Sequence, residues 1–175
     1  MTVQASTWRR HACVHPALAF VLIACSAPRP ACPEVAPPAT WRSTSDEIGR
    51  VVDDFHDAAA QADEGRYFAH FAKGGVFLGT DGKERWTVPE FQAYAHPHFT
   101  KGKAWSFRST RREITFVGDT AWFDEDLDTP NLGPARGTGV VVRDDRGAWK
   151  IAQYNLSVPI PNARFEDVKA IIEAR

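Results

Sequence analysis

The chain has 175 residues, 43% of them hydrophobic and 25% charged, which suits one globular domain with an additional tail. Its formal net charge of -1 gives no general attraction to nucleic-acid phosphates or anionic lipid headgroups, so we expect no nucleic-acid partner. Aromatic residues make up 11% of the chain, which suits either a packed aromatic core or a hollow lined by flat apolar faces.

Residues 1–25 carry the pattern of a bacterial export signal. Arg9 and Arg10 precede the apolar stretch 17–24, which has the length of a signal-peptide core and is too short to span a bilayer by itself. The stretch ends in Leu22-Ile-Ala-Cys25, which resembles the lipobox of bacterial lipoproteins, where the cysteine thiol receives the lipid. We therefore predict Cys25 as the lipidated first residue of an envelope protein that faces the periplasm, with a non-lipidated export signal as the alternative.

Residues 26–44 are predicted to form a tether. They contain five prolines and almost no aliphatic side chains, a composition that cannot bury a core and favours extended conformations. Cys32 is the last cysteine of the chain, so the predicted domain of residues 45–175 contains none and cannot depend on disulfides.

Helical periodicity begins near Ser45. A first amphipathic helix carries apolar side chains at helical spacing, namely Ile48, Val51, Val52, Phe55, Ala58, Ala59 and Ala62. A second, short helix is predicted over 66–72, followed by a short strand over 76–78. Thr87 is predicted to cap a third helix with Pro89 in its first turn.

From residue 104 the period of the pattern changes to two. Strands are predicted over 104–117, 120–128, 136–143 and 149–158, and turn residues separate them. Adjacent pairing would make an antiparallel meander, and Asn162 is predicted to cap a final short helix. The sequence therefore predicts an α+β domain.

Segments spread over residues 45–158 resemble the SnoaL-like branch of the nuclear transport factor two-like superfamily. They are Asp54-Phe-His56, Tyr67-Phe-Ala-His-Phe71, Val76-Phe-Leu-Gly-Thr80, Glu84-Arg-Trp-Thr87, Ala121-Trp-Phe-Asp124, Arg136-Gly-Thr-Gly-Val140 and Trp149-Lys-Ile-Ala-Gln-Tyr-Asn-Leu-Ser157. The resemblance implies a cone-like curved antiparallel sheet that encloses a pocket with three N-terminal helices. Relatives include cyclases, isomerases, dehydratases and epoxide hydrolases, as well as domains without known activity, so the fold does not choose the function. Because relatives often pair through the outer sheet face, it also suggests a homodimer.

A candidate catalytic base lies in the second long strand. Trp122, Asp124 and Asp126 share one face of that strand, and Phe123, Glu125 and Leu127 share the other. If Phe123 packs under an outer helix, Asp124 points into the cone; otherwise Glu125 does. A solvated acidic strand end is the alternative interpretation.

Candidate ligand-binding residues are aromatic and polar. An aromatic rim is predicted from Tyr67, Trp86, Trp105 and Trp122, each of which could instead belong to the core. Arg136, Gln153 and Asn155 are predicted to bind polar ligand groups, although a cross-strand pair of Arg136 with Asp128 and backbone partners for the amides would also explain them.

No cofactor or metal is expected. His96 and His98 flank a proline, and neither this pair nor His56 and His70 has a third ligand at suitable spacing. The favoured function is a tethered domain that binds a small, partly apolar molecule without catalysis. The alternatives are a small lyase, isomerase or hydrolase that uses Asp124 as general base, and a dimeric interaction module.

Overall fold

The structure, a computed structural model, describes residues 39–174. The helices are α1 (Ala39–Ala60), α2 (Glu64–Ala69), α3 (Val88–Thr100) and α4 (Phe165–Glu173), with a 3-10 turn at Asn162–Arg164 before α4. The strands are β1 (Phe71–Leu78), β2 (Arg85–Thr87), β3 (Arg108–Val117), β4 (Thr120–Asp128), β5 (Ala135–Arg143) and β6 (Trp149–Ser157). The lipobox, Cys25, Cys32 and most of the predicted tether lie outside the described residues.

One curved, unclosed sheet of six strands forms the frame of the domain. The strand order is β2-β1-β6-β5-β4-β3, and every neighbouring pair is antiparallel except β1 and β6, which run parallel. The predicted α+β class and the meander of four long strands are thereby confirmed. β2 was not predicted, because three residues are too few to establish a period of two.

Helix α1 begins earlier than the sequence predicted. It starts at Ala39, so that residues 39–44, which we assigned to the tether, belong to the helix. Trp41 on this added turn packs against Phe116 of β3, with ring centroids 4.7 Å apart. Further along, Ile48, Val52 and Phe55 are at most 1% exposed and bury the helix against the sheet.

The strand after α2 begins at Phe71, where the sequence predicted the end of a helix over 66–72 and a strand only from Val76. The Asp63 carboxylate accepts a hydrogen bond from the Arg66 amide and starts α2, which ends at Ala69. Phe71 then pairs with Ile151 of β6, and the register shifts before Val76. A Cβ atom at Gly75 would lie 3.0 Å from the Ile151 carbonyl oxygen. Gly75 therefore permits close approach of two strands and does not end a helix.

The sheet has a concave inner face that packs against the helices and an exposed outer face. In β4 the inner side chains are those of Ala121, Phe123, Glu125 and Leu127, all at most 3% exposed. The register between β5 and β6 shifts between the pairs Val140–Gln153 and Val141–Ile151. This bulge turns both Ile151 and Tyr154 inward.

Candidate functional site

A cleft of about 330 Å³ opens between α3, the β1–β2 hairpin and the segments that flank β3 and β4. We call it the aromatic cleft because six aromatic side chains line it: Phe77, Trp86, Phe91, Tyr94, Trp105 and Phe107. Its volume lies at the lower end of the range of small-molecule sites. The aromatic cleft can therefore hold a compact organic molecule.

The rings of the aromatic cleft lie nearly parallel to one another. Trp86 and Phe91 are tilted by only 6° with centroids 5.5 Å apart, and Phe77 stacks on Phe91 at 3.9 Å and 15°. Tyr94 stacks on Trp86 at 4.6 Å, and Trp105 lies 5.8 Å from Phe91 at 21°. Parallel rings offer a flat ligand a shared stacking direction.

A few polar groups complete the wall of the aromatic cleft. Glu84, His98, Thr129 and Asn131 line it, and no lysine or arginine side chain is among its described lining residues. Thr129 is only 6% exposed, so it belongs to the buried part of the wall. Sequence reasoning missed these residues, although the segment 84–87 carries part of the family resemblance.

A second polar arrangement lies within the core, centred on the fully buried carboxylate of Glu125. We call it the glutamate network. Oε1 of Glu125 lies 2.7 Å from His56 Nε2 and accepts a hydrogen bond from the Tyr154 hydroxyl at 3.1 Å. Oε2 accepts two hydrogen bonds from the Arg112 guanidinium, at 2.9 and 2.7 Å. Both carboxylate oxygens are thus satisfied.

The glutamate network keeps Glu125 ionised. Burial would raise the pKa of this carboxyl, but the hydrogen bonds and charges of His56 and Arg112 more than offset it, and the pKa lies below its ordinary value. Burial, together with the negative charge of Glu125, raises the pKa of the Tyr154 hydroxyl. Tyr154 is therefore a neutral donor, and His56 donates its Nε2 proton to the carboxylate.

His56 also lines a separate cavity of about 240 Å³, beside Asp53, Asp57 and Phe107. Phe107 borders this small cavity on one side and the aromatic cleft on the other. The contact with Glu125 occupies Nε2 of His56 and leaves Nδ1 as its second ring nitrogen. A histidine oriented by a carboxylate is one arrangement used in general acid–base catalysis.

The structure corrects the prediction that Asp124 points into the cone. Asp124 lies on the outer face, 46% of its side chain is exposed, and Arg111 donates a hydrogen bond to it at 3.0 Å. Phe123 packs on the concave side near Tyr154, so the alternate residue Glu125 points inward. Trp122 shares the face of Asp124 and is 48% exposed, which excludes it from the aromatic cleft.

Three predicted polar ligand-binding residues also lie on the outer face. Arg136 pairs in register with Asp126, not with Asp128, and its Nε lies 3.6 Å from the Asp126 carboxylate. Gln153 is exposed, and Asn155 donates to the Thr138 hydroxyl at 3.5 Å. For Gln153 and Asn155 the physical reason is the bulge in β6, because it separates Gln153 from the face of Ile151.

The predicted aromatic residues separate into two groups. Trp86 and Trp105 line the aromatic cleft. Tyr67 is completely buried behind it, stacked on Phe55 at 4.3 Å and edge-on to Trp105 at 5.6 Å, and does not line it. Tyr67 therefore supports the wall from behind.

Within residues 39–174, no group of three His, Cys, Asp or Glu side chains is arranged to hold a metal ion. His96 instead lies 2.8 Å from the Glu64 carboxylate, and His70 lies 2.8 Å from Asp54, whose pKa is lowered chiefly by its hydrogen bonds from Arg66.

None of the described helices has the length and apolarity needed to cross a membrane.

A curved sheet that holds a pocket against its helices defines a cone-like α+β domain, and solved structures share this fold. An NTF2-like protein of unknown function from Pseudomonas putida is 15% identical, with a TM-score of 0.58 over 69% of this chain and 90% of that one. A candidate scytalone dehydratase from Novosphingobium aromaticivorans is 14% identical, with a TM-score of 0.58 over 69% and 87%. A candidate ketosteroid isomerase from Shewanella frigidimarina is 21% identical, with a TM-score of 0.51 over 63% and 94%. At these identities the likeness shows the fold alone.

The family model of the SnoaL-like domain matches residues 48–161, and the chain belongs to this family. The matched range runs from within α1 to just beyond β6 and contains both the aromatic cleft and the glutamate network. A search of curated proteins finds no significant match.

Proposed function

We propose that this domain binds a flat, partly apolar small molecule in the aromatic cleft. The observation that carries the proposal is the group of nearly parallel aromatic rings, among them Trp86, Phe91 and Phe77, that lines a cavity of about 330 Å³. Aromatic stacking adds about 0.5–1.5 kcal/mol per ring pair beyond the burial of apolar area. The name of the candidate ketosteroid isomerase is in keeping with a fused-ring ligand.

Calorimetric titration with a two-ring phenol such as 2-naphthol tests this proposal. Trp86→Ala removes a stacking ring and should weaken binding about tenfold. Trp122→Ala removes a tryptophan of the outer face and should leave the affinity unchanged. Absence of saturable binding by any ring compound, or an equal loss in both variants, would overturn the proposal.

A second candidate function is proton-transfer catalysis at the small cavity lined by His56. It is favoured by the 2.7 Å contact that fixes the imidazole on Glu125, with His56 itself only 5% exposed. In this function His56 takes the role of general base that the sequence had suggested for Asp124, and the reaction would be that of a lyase, isomerase or hydrolase.

Turnover of small cyclic ketones, epoxides and hydroxy compounds by the purified protein tests this second candidate. His56→Gln should abolish turnover while 2-naphthol still binds in the aromatic cleft. Asp124→Asn, which changes the neighbouring carboxylate on the outer face, should retain full activity. If no compound is converted, or if His56→Gln is fully active, catalysis at His56 is excluded.

We further propose that the domain acts in the bacterial cell envelope, attached to the membrane through lipidated Cys25. The proposal is supported by the lipobox pattern and by the proline-rich segment between it and α1. Labelling of growing cells with an alkyne fatty acid should mark the wild-type chain and Cys32→Ala but not Cys25→Ala. Equal labelling of Cys25→Ala would contradict lipidation at this residue.

A further inference from the structure

Glu84 is held at the edge of the aromatic cleft by the turn that joins β1 to β2. Its backbone carbonyl accepts a hydrogen bond from the Gly79 amide at 2.8 Å, and its own amide donates to the Asp81 carbonyl at 2.9 Å. The carboxylate folds back over this turn, where Oε2 accepts from the Asp81 amide at 3.1 Å. The turn therefore fixes the position of the charge.

Gly79 makes room for the Glu84 carboxylate. A Cβ atom at residue 79 would overlap Oε2 of Glu84 and lie 3.0 Å from its Cδ. Gly79 also lines the aromatic cleft. The absence of a side chain at this position thus lets the carboxylate lie directly against the wall of the cleft.

No basic side chain neutralises Glu84 in the described part of the chain. Within the described residues Glu84 forms no ion pair. On the outer face of the sheet, by contrast, Asp124, Asp126 and Asp128 each pair with an arginine. Glu84 and Trp86 are half-buried, whereas Lys83 and Arg85 alternate with them and are exposed. Arg85 alternates with Trp86 in β2, and neither Lys83 nor Arg85 is among the residues that line the aromatic cleft.

We propose that the ligand of the aromatic cleft carries a positive charge, as a protonated amine or quaternary ammonium group attached to a flat apolar body. This inference rests on the binding function proposed above and names its ligand class. The cation would pair with Glu84 and lie against the exposed ring of Tyr94, which lines the same cleft and stacks on Trp86. An anionic ligand would meet the unpaired carboxylate and no compensating lysine or arginine in the wall.

The test compares three naphthalene derivatives of similar size and different charge: the cation 1-naphthylmethylammonium, the neutral 1-naphthylmethanol and the anion 1-naphthoate. Each is titrated calorimetrically at neutral pH into the full chain in zwitterionic lipid nanodiscs, with empty nanodiscs as the blank. We expect the cation to bind at least about fivefold more tightly than the alcohol, which corresponds to one partly exposed cation interaction. The anion should bind more weakly than the alcohol.

Glu84→Gln removes the charge and should abolish the preference for the cation while leaving the affinity for the alcohol unchanged. Glu166→Gln makes the same change in net charge on α4, outside the cleft, and should retain the preference. Equal affinities for all three compounds, a preference for the anion, or a preference that survives Glu84→Gln would overturn the charge assignment and leave cleft binding intact. Failure of all three compounds to bind would overturn both the charge assignment and the proposed binding function.

Discussion

Glu125 links three separate elements of the domain through one buried charge. His56 comes from α1, Arg112 from β3 and Tyr154 from β6, and all three donate to the same carboxylate. Arg112 also donates to the Gly49 carbonyl at 3.1 Å and lies 2.8 Å from the Asp53 carboxylate. A buried charge is costly unless it is paired and hydrogen-bonded, so each partner is needed to keep the others in place.

Glu125→Gln should lower the free energy of unfolding at neutral pH by about 3 kcal/mol, because it leaves Arg112 partly buried beside a neutral amide. The folded-state pKa of Glu125 lies below its ordinary value, so its contribution is present above about pH 4.5 and is lost as the pH falls through the lowered pKa. Urea unfolding from about pH 7 to pH 3 should therefore show a steeper loss of stability in the wild type than in the variant.

The exposed carboxylate of Asp124 gives the control for this experiment. Asp124→Asn removes a neighbouring charge that pairs with Arg111 in solvent, so it should change stability by less than about 1 kcal/mol. A variant Glu125→Gln with wild-type stability and the same pH profile would show that the glutamate network does not stabilise the fold.

Gly137 allows the glutamate network to lie against β5. A Cβ atom at this position would overlap the Tyr154 hydroxyl and lie 2.8 Å from Glu125 Oε1. We expect Gly137→Ala to lower the free energy of unfolding by about 1–3 kcal/mol, measured by urea denaturation, because the core must shift to admit the methyl group. Gly82→Ala, at a turn with no heavy atom within 4 Å of the added Cβ, should change it by less than about 1 kcal/mol.

At the scale of elements, the sequence predicted those helices and strands whose formation depends on local periodicity. The amphipathic pattern of α1, the Thr87 capping box of α3 and the alternation of the long strands are all present in the structure. The segment Phe71–Ala72 was assigned to the end of the second helix, predicted over 66–72, because Tyr67, Phe68 and Phe71 fit helical spacing. Its strand conformation depends on pairing with β6, some eighty residues away, which local patterns cannot reveal.

Helix α4 carries an apolar stripe that no other described element buries. Phe165, Ile171 and Ile172 are 56%, 69% and 59% exposed, and no residue of the helix is buried. Deletion of residues 162–175 should therefore change the free energy of unfolding by less than about 1 kcal/mol in urea. Phe99→Ala on α3, where the ring is 4% exposed, should by comparison cost about 3–5 kcal/mol. A large loss on deletion would show that α4 packs against part of the molecule.

At the scale of the molecule, the site depends on which face of the sheet is concave. Each face of strand β4 carries one aromatic side chain and at least one acidic side chain. The alternation of β4 is therefore compatible with either face being the concave one. The bulge in β6 likewise reverses the expected face of Gln153 and Asn155. The sequence could therefore predict a pocket and two of its tryptophans, Trp86 and Trp105, but not that Glu125 is the inward acid.

The outer face is the remaining candidate for contact between copies of this chain. Trp122, 48% exposed, lies there opposite Val140 of β5 and Thr115 of β3, and it forms an apolar centre among paired charges. An apolar centre with a charged rim is the composition of many protein interfaces. We expect sedimentation of residues 39–175 to show dimers that dissociate on dilution. Trp122→Glu should shift the protein to monomers because it places an unpaired charge at the centre of the interface. Phe165→Glu alters the exposed stripe of α4 and should leave the dimer unchanged; the opposite result would assign self-association to α4.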